Sequence, residues 1–216
     1  MNEISKNIID KFYLFLIGEM TILEFEKWVY ESKELENELD EISYYDFISF
    51  GFKKSGATYE LEHLIRKHIN ISNYETWKLK KNLLNVLERK NNYYDSILQF
   101  YDLYCKGYNF LDNLGIGYGL TLDCPYSEYG VDSYEELTQE QKDKIVNSFY
   151  PKIQFEIKKV LDWLDSGLIL IHSEYDSYGN LKITDNRLEA DKEPTAYKIA
   201  KTVDKENKRE WWKIWK

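Results

Sequence analysis

The chain has 216 residues, 43% of them hydrophobic and 31% charged, and carries a formal net charge of −9 at pH 7. That apolar content supports a packed core and excludes wholesale disorder, and with only 3 Pro and 10 Gly a loop-built or low-complexity chain is excluded as well. The acidic balance opposes binding to nucleic-acid phosphate and favours a basic protein partner.

The first residues, Met1-Asn2-Glu3-Ile4-Ser5-Lys6, lack the basic segment and small-residue cleavage site of a secretory leader. The apolar run at 12–17 is far shorter than the roughly 20 residues that a membrane helix needs. Cys105 and Cys124 are the only cysteines, too few for a disulfide framework. Two buried, reduced thiols and a cytoplasmic location are expected, with no membrane contact.

Ile4, Ile8, Ile9, Phe12, Tyr13, Leu16 and Ile17 recur at steps of three and four, the pattern of one buried helix face, and Gly18 ends it. Thr21-Ile22-Leu23-Glu24 has the spacing of a capping box and predicts a second helix that buries Ile22, Phe25, Trp28 and Val29. A third helix is predicted over 33–50, with Leu35, Leu39, Ile42, Tyr45 and Phe47 inward. A fourth covers roughly 58–69. Ser72-Asn73-Tyr74-Glu75 resembles another capping box, opening a helix through Leu84 and Leu87. Residues 93–106 place Tyr94, Ile97, Leu98, Tyr101, Tyr104 and Cys105 at helical spacing, stopped by Gly107.

Residues 107–137 have the weakest periodicity, and they contain Gly115, Gly117, Gly119, Pro125 and Gly130. A long loop or short irregular β-element is expected there. Thr138-Gln139-Glu140-Gln141 is a third capping box. From it runs a long apolar stripe through Ile145, Val146, Phe149, Ile153, Ile157, Val160 and Leu164. Pro151 lies inside this stripe and predicts a kink or two abutting helices. Residues 168–171 and 181–184 flank Ser177-Tyr178-Gly179-Asn180 as a small β-hairpin. The end of the chain, with Trp211, Trp212 and Trp215, is too aromatic for a solvated tail and is expected to dock.

No motif in this sequence carries catalysis. Gly115-Ile116-Gly117-Tyr118-Gly119 lacks both the dinucleotide-binding spacing and the Lys-Ser/Thr of a phosphate loop, and reads as a turn between aromatics. His63 and His68 are five apart and cannot ligate one metal from one helix face. Glu156-Ile157-Lys158 imitates half of a nuclease centre, but on a helix its two charged side chains diverge. No metal or cofactor is implied, and the chain is read as a non-enzyme.

The informative features are acid and tyrosine. Residues 19–46 hold ten acids against Lys27 and Lys33, and 107–150 hold eight against Lys142 and Lys144. There are 19 Tyr, many beside acids, and tyrosine offers rigid contact area with a polar handle. Two partner-binding surfaces follow. One is the N-terminal block with Glu34, Glu36, Glu38 and Glu41. The other lies in 107–137, with Asp123, Tyr126, Glu128, Tyr129 and Asp132.

Phe25-Glu26-Lys27-Trp28-Val29-Tyr30, Leu35-Glu36-Asn37-Glu38-Leu39 and Tyr45-Asp46-Phe47-Ile48-Ser49-Phe50, followed by Lys53-Lys54, resemble the immunity proteins of bacterial polymorphic and contact-dependent toxin systems. The resemblance spans the N-terminal third. It implies a cytoplasmic, acidic protein that neutralises a cognate toxin, frequently a basic nuclease, by covering its active site. It carries no specific contact residue.

The fold class expected is mainly α: a multi-helix bundle with one long kinked C-terminal helix and a small β-hairpin. A helical N-terminal subdomain (1–90) would pack on a C-terminal one (91–216) holding loop 107–137 and hairpin 168–184, as one compact unit. The expected function is non-catalytic binding, that of an immunity or antitoxin protein sequestering a basic toxin. The alternatives are an enzyme with a dispersed acidic, metal-dependent site and a regulatory interaction module.

Overall fold

Two of the three expected capping boxes, at Thr21 and Thr138, are where helices begin in the computed structural model, which describes residues 4–90, 93–125 and 129–193. Most of these residues are helical, with one antiparallel two-stranded hairpin. Among them, no helix is long and apolar enough to cross a membrane. The expected docking of Trp211 to Trp215 lies outside the described residues.

The chain forms two compact units, Met1–Lys78 and Leu79–Lys216. The division falls inside one helix, Ile71–Leu87, rather than after residue 90. That helix serves two cores. Tyr74 belongs to the N-terminal cluster, and Leu79, Leu83 and Val86 to the C-terminal one.

In the first unit, α1 (Lys6–Leu16) buries Ile8, Phe12, Tyr13 and Phe15. In α2 (Ile22–Glu31), Thr21 and Glu24 complete the expected capping box. Two short helices follow, α3 (Lys33–Glu38) and α4 (Glu41–Ile48), and then α5 (Ala57–Arg66). The core centres on Phe12, whose ring stacks on Phe47 at 5.2 Å and on Phe25 at 6.1 Å and meets the edge of Trp28 at 5.9 Å. The helix α6 (Ile71–Leu87) starts earlier than Ser72, because Asn70 Oδ1 accepts from the Asn73 N–H.

The second unit opens on the remainder of α6, followed by α7 (Tyr93–Cys105). The predicted loop is then helical over most of its first half. A 3-10 turn (Asn109–Leu111), an α-turn α8 (Asp112–Leu114), a π-turn (Gly115–Gly119) and a further α-turn α9 (Leu120–Asp123) run on without a break. The glycines do not make a turn here. Gly115 and Gly119 let this segment lie against α7, where a Cβ on Gly115 would come within 2.8 Å of Tyr104 Cβ and one on Gly119 within 2.9 Å of the Ile97 carbonyl oxygen.

After a 3-10 turn at Tyr134–Glu136, the apolar stripe is carried by two helices, α10 (Gln139–Phe149) and α11 (Lys152–Asp165), on either side of Tyr150-Pro151. Thr138 and Gln141 form the capping box of α10. The hairpin pairs β1 (Ile169–Tyr175) with β2 (Leu181–Asp185), with Ile171 opposite Ile183 and Leu170 opposite Thr184. Period-two alternation turns Ile169 and Ile171 into the core and leaves His172 and Glu174 outside. A last turn, α12 (Glu189–Lys192), follows. Cys105 and Cys124 are free thiols, but both are exposed rather than buried.

Candidate interaction surface

The acidic N-terminal block folds as two helices of different phase. Ser32 Oγ caps α3 by accepting from the Leu35 N–H at 3.2 Å. Leu39 and Asp40 are both extended, and Asp40 then caps α4, its Oδ1 accepting from the N–H groups of Ile42 and Ser43 at 3.1 and 3.0 Å. The break resets the helical phase. On one continuous helix Ile42 and Tyr45 would face inward with Leu35, but on α4 only Phe47 is fully buried. Ile42 is 76% and Tyr45 66% exposed, so their expected place in the core is corrected.

The break leaves Glu34, Glu36 and Glu38 on α3 and Glu41 on α4, and the four differ in what they touch. Glu34 and Glu38 lie one turn apart on α3 and are engaged at the start of α1: Asn7 Nδ2 donates to Glu34, and the Ser5 N–H donates to Glu38 Oε2 at 2.6 Å. A carboxylate at a helix N-terminus is stabilised by the unpaired N–H groups and the helix dipole. Glu36 and Glu41 are exposed and make no side-chain hydrogen bond or ion pair among the described residues, and the same holds for Asp46. We expect Glu38→Lys to lower the thermal midpoint of the chain and Glu36→Lys to leave it unchanged. Calorimetry of the two variants checks this, and equal midpoints would remove Glu38 from the fold.

On α4, Glu41 and Tyr45 are four apart, as are Ile42 and Asp46, so the four side chains form one outward cluster. Beneath it Phe47 meets the His68 ring at 5.2 Å. Burial lowers the His68 pKa from its ordinary 6.5, although Asp40 and Asp46 oppose the shift. At pH 7 the imidazole is therefore neutral and leaves the charge of the cluster standing.

The second candidate region is arranged differently. Asp123 and Asp132 are exposed. Tyr129 is half-buried against the core and borders a cavity of about 120 Å³ with Thr121, Lys144 and Phe149. Tyr118 meets Phe149 edge-on at 5.1 Å, and the Lys142 ammonium lies 3.9 Å from the Tyr134 ring centre. The aromatic rings placed here thus pack within their own unit. Tyr126 and Glu128 lie outside the described residues.

A polar groove of about 580 Å³ runs along the outer face of the hairpin, lined by Asn109, His172, Glu174, Asp176, Lys182 and Thr184. Its groups largely satisfy one another. His172 Nε2 and Thr184 Oγ1 are 2.8 Å apart, and Lys182 Nζ donates to Glu174 Oε2 at 2.8 Å. Asp176 Oδ1 accepts from the N–H groups of Tyr178 and Asn180. The hydrogen bond from Lys182 holds the Glu174 carboxyl below its ordinary value. Among the described residues no three His, Cys, Asp or Glu side chains are grouped to hold a metal ion.

Comparisons with family models, with curated proteins and with solved structures return no match for this chain.

Proposed function

We propose that this chain is a non-catalytic binding protein that sequesters a basic protein, in the manner of an immunity or antitoxin protein acting on a bacterial toxin. The observation that carries the reading is the set of exposed carboxylates Glu36, Glu41 and Asp46, which have no cationic partner among the described residues, in a chain of net charge −9. Exposed like charges contribute little to folding, so an unneutralised acidic face is a surface for steering an oppositely charged partner. The charged groups of the hairpin groove, by contrast, are held by one another.

The test is capture of partners by the full chain in its host, followed by co-expression of the captured protein with and without the chain. The expected result is a basic protein whose toxicity the chain suppresses, with an association rate that falls steeply as salt rises. An acidic partner, or toxicity that the chain does not relieve, overturns the reading.

A further inference from the structure

From the exposed face of α4 we infer the chemistry of the segment that docks there: a short, amphipathic, basic stretch whose apolar side chains seat on Ile42 and Tyr45 while its Lys or Arg side chains meet Glu41 and Asp46. This rests on the proposed function and names where and how the basic partner is held.

An aliphatic and an aromatic side chain, 76% and 66% exposed and three positions apart on one helix, lose contact with water only if something covers them. Among the described residues nothing does so. Carboxylates flank the pair on the same face, at Glu41 and Asp46, and Glu36 stands exposed on the preceding helix. That arrangement, an apolar centre rimmed by one sign of charge, is the anatomy of a hot spot with a polar rim. It selects against a second copy of this chain, which would bring the same carboxylates face to face, and against a neutral apolar segment, which would leave them unpaired.

The dimensions set the size of the docking segment. An eight-residue helix is about 12 Å long, so the face takes one or two turns of a helix or a short loop rather than an extended groove ligand. Tyrosine at its centre adds a hydroxyl that stays hydrated at the rim and a ring that can lie under a guanidinium or ammonium. A lysine or arginine beside an apolar residue therefore satisfies both halves of the surface at once.

The probe is a synthetic peptide with Leu and Lys at amphipathic helical spacing, titrated into the full chain with its isoleucine methyls labelled for NMR. A lysine-only peptide of equal charge serves as control. The Ile42 methyl is expected to shift saturably with the Leu/Lys peptide, and the lysine-only peptide to bind about tenfold more weakly. Tyr45→Ser is expected to weaken the Leu/Lys peptide by about tenfold or more at an unchanged melting temperature, because Tyr45 is outside the core. Equal binding of the two peptides, or shifts that spare Ile42, would overturn the inference while leaving an acidic binding protein in place. Failure of the Leu/Lys peptide to bind at all also overturns it. Toxin suppression that survives Ile42→Ser with Tyr45→Ser separates this failure from failure of the functional reading.

Discussion

Gly119→Ala is expected to destabilise the C-terminal unit by about 2 kcal/mol, whereas Gly117→Ala, two residues away, should stabilise it by roughly 0.5–1 kcal/mol. A Cβ on Gly119 would sit 2.9 Å from the Ile97 carbonyl oxygen, from Tyr101 N and from Tyr101 Cβ. The first two are backbone atoms of α7 and cannot rotate aside, so the two helical segments must separate and lose packing along their length. Overpacking of this kind costs about 1–3 kcal/mol and outweighs the propensity gained by replacing a helical glycine. At Gly117 nothing lies within 4 Å of the added methyl, and only the propensity gain remains. Urea denaturation of both variants measures the contrast. Equal effects would show that the π-turn does not rest on α7.

Gly119 and Gly115 also mark where the sequence becomes ambiguous. Glycine punctuates helices far more often than it lies inside one, so five residues with three glycines read as a turn. The available signal was spacing: Gly115 and Gly119 are four apart, and so are Phe100 and Tyr104 on the helix they face. Elements with unambiguous start signals were legible to the residue. Thr21 with Glu24 and Thr138 with Gln141 satisfy each other's backbone N–H groups, a reciprocal bond that depends only on local spacing. The hairpin was legible for a related reason, since the Asp176 carboxylate closes the turn locally by accepting from the N–H groups of Tyr178 and Asn180. The candidate surface was half legible. Its carboxylates are visible in composition, but one helical phase extended across Leu39 and Asp40 turns Ile42 and Tyr45 inward. Asp40 was the overlooked signal, an N-cap residue in the middle of an apparent helix. The engagement of Glu34 and Glu38 at the start of α1 spans 27 and 33 residues, and no local pattern encodes a contact of that range.

A larger loss is expected from Asp185→Asn, on the order of 3 kcal/mol, because it strands a buried cation. The Arg187 side chain is only 4% exposed. Its Nε donates to Asp185 Oδ1 at 3.0 Å and its Nη2 to Oδ2 at 2.7 Å, a bidentate pair, while Nη1 donates to the Asp191 carbonyl oxygen at 3.2 Å. The guanidinium also lies 4.3 Å from the centre of the Trp163 ring, joining the end of β2 to α11. An amide at 185 retains one acceptor oxygen but no charge, and arginine cannot shed its proton in compensation. Arg187→Met is milder, since the Asp185 side chain it leaves behind is 27% exposed and can be hydrated. Acid should reproduce the loss in the unaltered chain. Burial raises the Asp185 carboxyl, but the hydrogen bonds and charge of Arg187 more than reverse this, so its pKa lies below the ordinary 3.8. A depressed carboxylate stabilises the fold fully above its unfolded value and loses that contribution as pH falls through its folded one. The gap between the unaltered chain and Asp185→Asn should therefore stay constant near neutrality and close as the pH drops below about 3.8. Denaturation of both across pH measures it, and a gap under about 1 kcal/mol at pH 7 would mean that Asp185 is not what holds the buried guanidinium.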